Sequence, residues 1–176
     1  GKFGDVGMCL LAGRAEQAQE LLQGWMRDFP NRFYLELQRT GRENDESYLH
    51  SAVALAETLA CPVVATNDVR FLNRDEFEVH EARVCISEGR ALDDSRRERR
   101  YSEQQYLRSA EEMTELFSDI PEALENTLEI AKRCTVNIQM GKYFLPAYPV
   151  PEGLTEGDFF RKISEEGLEK RLERIL

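Results

Sequence analysis

The sequence has few of the residues and patterns that mark a metal-binding, disulfide-linked or membrane protein. Only two of its 176 residues are histidine and only one is tryptophan. Its four cysteines, Cys9, Cys61, Cys85 and Cys134, stand far apart without a C-x-x-C pair, which argues against a zinc site and a disulfide framework. No apolar run reaches the roughly 18 residues of a membrane helix, and no signal-peptide pattern opens the chain. We therefore predict reduced, mostly buried thiols in a cytoplasmic protein without a membrane partner.

Sequence motifs typical of nucleotide binding and of hydrolysis by a nucleophilic serine are also missing. The chain has no glycine-rich phosphate loop, no nucleophile elbow and no Ser–His–Asp order. Its formal net charge of -10 argues against a general nucleic-acid-binding surface, because phosphate contacts need clustered lysine and arginine. One basic cluster contains Arg96, Arg97, Arg99 and Arg100. We interpret it as a solvated loop balanced by neighbouring carboxylates, or alternatively as a contact for a nucleic-acid backbone or an acidic partner.

The first half of the chain predicts alternating helices and strands. Apolar spacing predicts a helix within residues 12–29 and another that begins at residue 45. The segment FYLELQ, residues 33–38, predicts a strand, and CPVVATNDVRF contains a second short strand, buried on both faces, at residues 62–65. This alternation indicates a parallel sheet covered by helices. Because such strands direct their carboxyl ends toward the functional site, we expect Asp68 and Arg70 to face a pocket.

The second half is predicted to be mainly helical, with one further strand. A third helix is expected over about residues 75–88, where a glycine closes it. Two capping boxes predict two short helices up to residue 117, and a proline at the first turn predicts another from residue 121. Residues 136–140 predict a last strand. The two capping boxes pair Ser102 with Gln105 and Ser109 with Glu112.

The character of the sequence changes after Gly141. Three prolines within a few residues predict an extended connector. Thr155 with Asp158 then predicts the start of an amphipathic helix, whose apolar side chains need a partner surface. We predict a domain boundary near residue 143. Since the chain also opens at Gly1 without an initiator methionine, we interpret it as a segment of a longer polypeptide.

Several ordered motifs resemble those of one family. CPVVATNDVRFLN, FYLELQRTGR, the ALDD loop, the EEM-ELF-DIPEAL-NT-EIA series and FLPAYPVPEG together resemble the bacterial replicative DNA polymerase III alpha subunits. The resemblance covers the whole chain, which makes it far more specific than any single short motif. It implies that residues 1–142 are the C-terminal half of a PHP (polymerase and histidinol phosphatase) domain. Residues 143–176 would be the linker and first helix of the polymerase body.

The resemblance carries expectations about fold and function. The implied fold class is α/β: part of a distorted (β/α) barrel, similar to a TIM barrel, followed by an α-helical segment. The parent protein would be a DNA-directed DNA polymerase, a nucleotidyltransferase that uses Mg²⁺ for template-directed synthesis in chromosome replication. Its catalytic carboxylates would lie in the palm, so we expect no catalytic residue and no cofactor in this segment. The expected partners are the proofreading exonuclease subunit, the rest of the alpha chain and, through the parent protein, DNA.

The resemblance also implies where a metal site would lie. PHP domains that keep their site end the later strand in Asp-x-His and place a histidine before the glycine after the earlier strand. Here the corresponding residues are Asp68-Val69-Arg70 and Thr40-Gly41, so both imidazoles are replaced. Arginine cannot donate a lone pair to a metal, and it adds positive charge where cations would bind. We therefore expect Thr40, Asp68 and Arg70 to mark a degenerate metal site, in which Arg70 pairs with Asp68 or Glu36.

Two other functions are left open at this point. The first is an active, metal-dependent PHP phosphoesterase or 3′–5′ exonuclease, in which adjacent metals generate hydroxide and bind the phosphate. The second is a free-standing interaction module, which the unpartnered last helix disfavours. The two histidines add little to either function. We interpret His50 as a surface residue, and His80 as a packing, capping or solvated residue rather than a metal ligand.

Overall fold

The computed structural model describes residues 1–175, so Leu176, the last residue of the predicted polymerase-body segment, lies outside the described residues. The described chain divides into two compact units, residues 1–135 and the residues from Val136 onward. The predicted boundary near residue 143 stays a prediction. The elements of the first unit are α1 (Asp5–Leu11), α2 (Ala15–Asp28), β1 (Leu35–Gln38), α3 (Asp45–Leu59), β2 (Val63–Thr66), a 3-10 helix (Arg74–Glu76), α4 (Phe77–Glu88), α5 (Ala110–Leu116) and α6 (Pro121–Arg133).

The two strands form a parallel sheet, as predicted. Leu35 pairs with Val63 and Gln38 with Thr66, and α3 provides the crossover between the strands. This arrangement confirms the α/β class, whereas a complete barrel stays a prediction. The prediction that the second strand is buried on both faces was wrong, because of its four residues only Ala65 is fully buried.

The core of the first unit lies between the sheet and the surrounding helices. Leu37 of β1, Leu22 of α2 and Leu49 of α3 are almost completely excluded from solvent, and Phe117 joins them from the end of α5. Burying each such side chain stabilises the fold by roughly 1.5–3 kcal/mol. Alternation along β1 places Leu35 and Leu37 toward this core, so its polar residues lie on the opposite face. That face leads to the candidate site.

Most helix boundaries follow the predicted caps. The helix predicted over residues 75–88 is observed as the 3-10 turn and α4, and it ends at Gly89 with a left-handed φ of 65°. Ser109 and Glu112 form the predicted capping box of α5, and Pro121 occupies the first turn of α6. The short helix α1 was not predicted. It begins after Gly4, whose extended backbone stands at the N-cap without a capping side chain.

Two predicted elements were wrong. Ser102 and Gln105 form no helix: Gln105 Oε1 accepts a hydrogen bond from Ser102 N at 3.0 Å, but the chain then continues into a parallel bridge between Phe71 and Tyr106. The Nδ2 of Asn67 donates to the carbonyl oxygens of Gln104 and Tyr106, at 3.0 and 2.7 Å. Those carbonyls therefore serve a tertiary contact and not a helix.

The strand predicted at residues 136–140 does not form either. This segment contains no regular structure, and its apolar side chains are highly exposed, for example Val136 at 83% and Met140 at 88%. A strand becomes stable only when a neighbouring strand pairs with its backbone, and no paired strand is described for this segment.

The second unit contains an irregular proline-rich segment and helix α7 (Glu156–Leu172). Thr155 Oγ1 accepts a hydrogen bond from the backbone N–H of Asp158 at 3.2 Å, which confirms the predicted cap. Apolar side chains of α7 are exposed, including Phe160 at 70%. Among the helices of residues 1–175, none is long and apolar enough to span a membrane.

All four cysteines are free thiols, in agreement with the sequence. Cys9, Cys61 and Cys85 are buried, and Cys134 is exposed. Burial raises the pKa of the Cys61 thiol, which favours its protonated, less reactive form.

Candidate functional site

A cavity of about 570 Å³, with charged and apolar side chains in its wall, lies where β1 and β2 end. Because the strands are parallel and adjacent, their carboxyl ends bring the turn of residues 39–44 beside the turn of residues 67–71. A third segment, residues 98–102, completes the wall. The lining residues are Lys2, Phe3, Leu11, Gly41, Arg42, Glu43, Asn44, Asp68, Arg70, Glu98, Arg99, Arg100, Tyr101 and Ser102.

Asp68 is the central acidic residue of this cavity. Its carboxylate Oδ1 lies 2.7 Å from Arg70 Nη2, and its Oδ2 lies 3.0 Å from Arg42 Nη1. The side-chain amide of Gln105, a fully buried residue, donates to the same Oδ2 at 2.9 Å. The ion pair expected between Asp68 and Arg70 is therefore present. Three donors bind this carboxylate, so both oxygens already have partners.

The backbone of Asp68 has an unusual conformation. Its φ of 45° lies in the left-handed region, which residues other than glycine seldom adopt and in which aspartate and asparagine are enriched. This conformation occurs two residues after the end of β2 and turns the chain, and both the carboxylate and Arg70 line the cavity. Outliers of this kind are concentrated at functional sites.

Arg42 is a site residue that the sequence patterns did not single out. Its side chain is 10% exposed, whereas that of Arg70 is 43% exposed. Besides Asp68, Arg42 donates to Thr40 Oγ1 at 2.8 Å and to Gln38 Oε1 at 3.0 Å. In the sequence, Gly41 could have indicated the role of Arg42. Its φ of 70° turns the chain after β1 and directs the next residue back toward the strand ends.

Thr40 lies in a buried network and not beside a vacant ligand position. Asp45 Oδ2 accepts hydrogen bonds from Thr40 N at 2.9 Å and Thr40 Oγ1 at 2.7 Å, and Asp45 Oδ1 binds Lys2 Nζ at 2.7 Å. Burial opposes ionisation of Asp45, but the hydrogen bonds from Lys2 and Thr40 outweigh it and hold its pKa below the ordinary value. This network fixes the turn that carries Arg42.

Glu36, the alternative partner considered for Arg70, has different contacts. Its Oε1 accepts from Thr66 Oγ1 at 2.7 Å and from Gln38 Nε2 at 3.2 Å, and its Oε2 lies 3.4 Å from the Gly1 amino group. Across residues 1–175 there is no group of three or more His, Cys, Asp or Glu side chains arranged to hold a metal ion. The degenerate metal site itself stays a prediction.

The basic cluster does not form one surface. Arg97 is buried, with its side chain 4% exposed, and it pairs with Glu81 of α4, so the interpretation of the whole cluster as a solvated loop was wrong at this residue. Arg96 binds Asp94 through two contacts of 3.0 and 2.9 Å, which lower the pKa of Asp94 to about 2. Arg99 and Arg100 line the cavity. The proposed contact with nucleic acid stays a prediction.

The two histidines take the positions expected from the sequence. His50 is exposed on α3. His80 packs against Phe71, at 5.5 Å between ring centroids, and meets the ring of Tyr101 edge-on at 4.7 Å. Burial, followed by the charges of Arg70 and Arg83, lowers the pKa of His80. His80 therefore packs between aromatic rings, one of which, Tyr101, lines the cavity.

Comparison with known proteins identifies close relatives, although no family model matches the chain. It is 59% identical over 175 residues to the DNA polymerase III subunit alpha of Pseudomonas fluorescens and 60% identical over 175 residues to that of Pseudomonas aeruginosa. It is 55% identical over 172 residues to that of Escherichia coli strain K12. These matches cover 98–99% of this chain but only 15% of each relative. The resemblance inferred from the motifs is confirmed.

Proposed function

The sequence corresponds over nearly its whole length to a segment of DNA polymerase III alpha subunits, and on that premise we propose that it belongs to a DNA-synthesising replicative polypeptide. That polypeptide would transfer nucleotides on a template in the cytoplasm, with Mg²⁺ as its cofactor. The palm carboxylates and most DNA contacts would lie in other parts of it. Residues 1–142 would supply the C-terminal half of the PHP domain, and residues 143–176 would lead into the polymerase body.

Within that polypeptide, we propose that this segment is a scaffold without hydrolytic activity. The observation that carries the proposal is the saturation of Asp68 by Arg42, Arg70 and Gln105. A divalent metal at Asp68 would have to displace two guanidinium groups and would then stand beside their fixed positive charges. Displacing Arg42, whose side chain is only 10% exposed, would leave its guanidinium without a carboxylate partner, which is costly.

A metal analysis of the intact polypeptide, combined with a nuclease assay, tests this role. We expect no stoichiometric zinc or manganese, no release of nucleotides from single-stranded DNA, and polymerisation that is nearly unchanged by Asp68→Ala. Stoichiometric metal together with a hydrolytic activity that Asp68→Ala abolishes would contradict the scaffold. That result would instead establish the alternative, an active PHP phosphoesterase or 3′–5′ exonuclease.

We further propose that the scaffold docks the proofreading exonuclease subunit. An apolar surface supports a docking role: Leu72, Val79 and Ile86 are exposed by 63%, 64% and 81% on the turn before α4 and on α4 itself. Surfaces of this kind are typical of protein–protein contacts. The identity of the partner follows from the family resemblance.

Size-exclusion chromatography of the intact polypeptide with the exonuclease subunit tests the docking. Ile86→Asp should weaken the complex, because it places a charge on the apolar surface. Leu128→Asp on α6 is the matched control, since Leu128 is also exposed, by 63%, and lies outside this surface. Equal complex formation by the wild type and Ile86→Asp would exclude this surface as the docking site.

A further inference from the structure

A buried group of polar side chains joins α4 to the loop of residues 91–102, and the functions proposed above do not use it. His80 and Glu81 of α4 and Arg97 of the loop have side chains that are at most 13% exposed. Arg97 pairs with Glu81, and the ring of Tyr101 meets His80 edge-on. We infer that this loop is a pH-sensitive element, which leaves α4 when His80 takes up a proton.

The first argument is that this buried group is incompletely hydrogen-bonded. In residues 1–175, three buried side-chain atoms have no hydrogen-bond partner, and all three belong to it: His80 Nδ1, Glu81 Oε1 and Arg97 Nε. His80 Nδ1 lies 3.7 Å from Glu81 Oε1, which is too far for a hydrogen bond. Unpartnered polar atoms are uncommon in protein interiors, and each one is destabilising. The contact between the loop and α4 is therefore weaker than its burial suggests.

The second argument is the positive charge around the imidazole. Arg70, in the turn after β2, and Arg83, on α4 itself, both oppose protonation of His80, and a third cation, Arg97, is held at the neighbouring Glu81. Burial, followed by the charges of Arg70 and Arg83, lowers the pKa of His80. A protonated His80 is therefore more stable in an open arrangement, where water solvates the imidazolium.

The third argument is that the nearby carboxylates cannot offset the added charge without loosening the loop. Glu76 beside His80 already accepts hydrogen bonds from two backbone N–H groups, at 2.9 and 3.0 Å. If the imidazolium displaced Arg97 from Glu81, a guanidinium on a side chain that is 4% exposed would lose its partner, which is costly. If His80 instead turned toward water, Tyr101 would lose its ring contact. Each response weakens a contact that holds the loop on α4.

The direction of the pH dependence follows from the lowered pKa of His80. A histidine whose pKa is lower in the closed form contributes stability that is fully present above its ordinary pKa of 6.5 and is lost as the pH falls below that value. We therefore expect the loop to stay closed in neutral solution and to open in mild acid. It would do so whether or not α4 docks a partner.

Hydrogen exchange of the intact polypeptide, measured by mass spectrometry, tests this expectation. The samples are compared at about pH 7.5 and about pH 5.5, one unit on either side of the ordinary pKa, after correction for the intrinsic effect of pH on exchange. The backbone N–H groups of Asp94, Arg97 and Ser102 donate hydrogen bonds, so they report whether the loop is closed. Protection over residues 91–102 should fall by about threefold or more at the lower pH.

Three variants make the experiment specific. His80→Phe keeps an aromatic ring but cannot take up a proton, so protection of the loop should become equal at the two pH values. His50→Phe is the matched control, because His50 is the other histidine of this sequence and is exposed on α3. It should retain the full pH response. Glu81→Gln should loosen the loop at both pH values, because Arg97 loses its carboxylate.

Four results would overturn the inference. The first is equal protection of the wild-type loop at both pH values, and the second is a pH response that persists in His80→Phe. The third is an unchanged loop in Glu81→Gln, which would show that the ion pair does not hold it. The fourth is a wild-type loss of protection that includes residues 35–59, since this would assign the response to unfolding of the core and not to the loop.

Discussion

Two aspartates near the strand ends share similar partners but differ in environment. Asp45, 4% exposed, opens α3 and is enclosed by Lys2 and Thr40. Asp68, 20% exposed, follows β2 and meets Arg42, Arg70 and Gln105 at the cavity. The first carboxylate joins buried segments of the fold, and the second lies at the position predicted from the sequence for a degenerate metal site. A carboxylate bound by cationic side chains can therefore stabilise a buried turn, as Asp45 does, or line a cavity, as Asp68 does.

The largest expected effect is that of Asp45→Ala. This change leaves Lys2 buried, at 6% exposure, without its counter-ion, so we expect a loss of about 3–5 kcal/mol in the free energy of unfolding. Hydrogen exchange over residues 35–59 of the intact polypeptide, measured in increasing urea, reports this stability. A loss below that of Asp68→Ala would contradict the difference drawn between the two aspartates.

Asp68→Ala should cost less. Arg42 keeps its bonds to Thr40 and Gln38, and Arg70 is partly solvated, so we expect a loss of about 1–3 kcal/mol. The same exchange experiment measures it, with Asp68→Asn as the control that keeps the shape of the side chain. No measurable loss in Asp68→Ala would show that the ion pairs at the cavity add nothing to stability.

The two arginines that bind Asp68 should also differ in how much each stabilises the fold. Arg42→Ala breaks three contacts of a side chain that is 10% exposed, whereas Arg70→Ala removes a side chain that is 43% exposed. We expect about 0.2–1 kcal/mol for Arg70→Ala, as for exposed ion pairs, and a larger loss for Arg42→Ala. Thermal unfolding of the intact polypeptide should rank them in this order, and the reverse order would place the structural role on Arg70.

The smallest effect is a pH dependence. The folded-state pKa of Asp45 is lowered, so its contribution is fully present above its unfolded pKa, near the ordinary value of 3.8, and is lost as the pH falls through the folded pKa. Exchange protection of α3 should therefore decline only in acid below about pH 4. Asp45→Asn should remove this part of the decline. An identical acid profile in the variant would assign the transition to other carboxylates.

Short sequence patterns correctly predicted the helices and strands that depend mainly on neighbouring residues. The apolar spacing of α3, the alternation in β1 and the capping box of Ser109 were sufficient, because a helix or strand with a strong pattern needs little information from elsewhere. Ser102 shows the limit. Its pattern matches that of Ser109, but no helix forms there, and Asn67 binds the carbonyl oxygens of Gln104 and Tyr106 in a tertiary contact.

The candidate site was predicted in part. Asp68 and Arg70 stand two residues apart in the sequence, so their pairing needed only the turn after β2. Arg42 was missed because its contact with Asp68 joins two turns that meet only when the sheet forms. The burial of Arg97 was missed for a similar reason, since its partner Glu81 lies on α4 and not in the charged loop.

The left-handed backbone of Asp68 also limits which substitutions the position accepts. Valine, isoleucine and threonine would strain a φ of 45°, whereas asparagine and glycine adopt it readily. Both tolerated residues lack a carboxylate, and each is one nucleotide change away from an aspartate codon. In a saturation library at this position, asparagine and glycine should therefore be the best tolerated replacements, although each loses the ion pairs that Asp68 forms with Arg42 and Arg70.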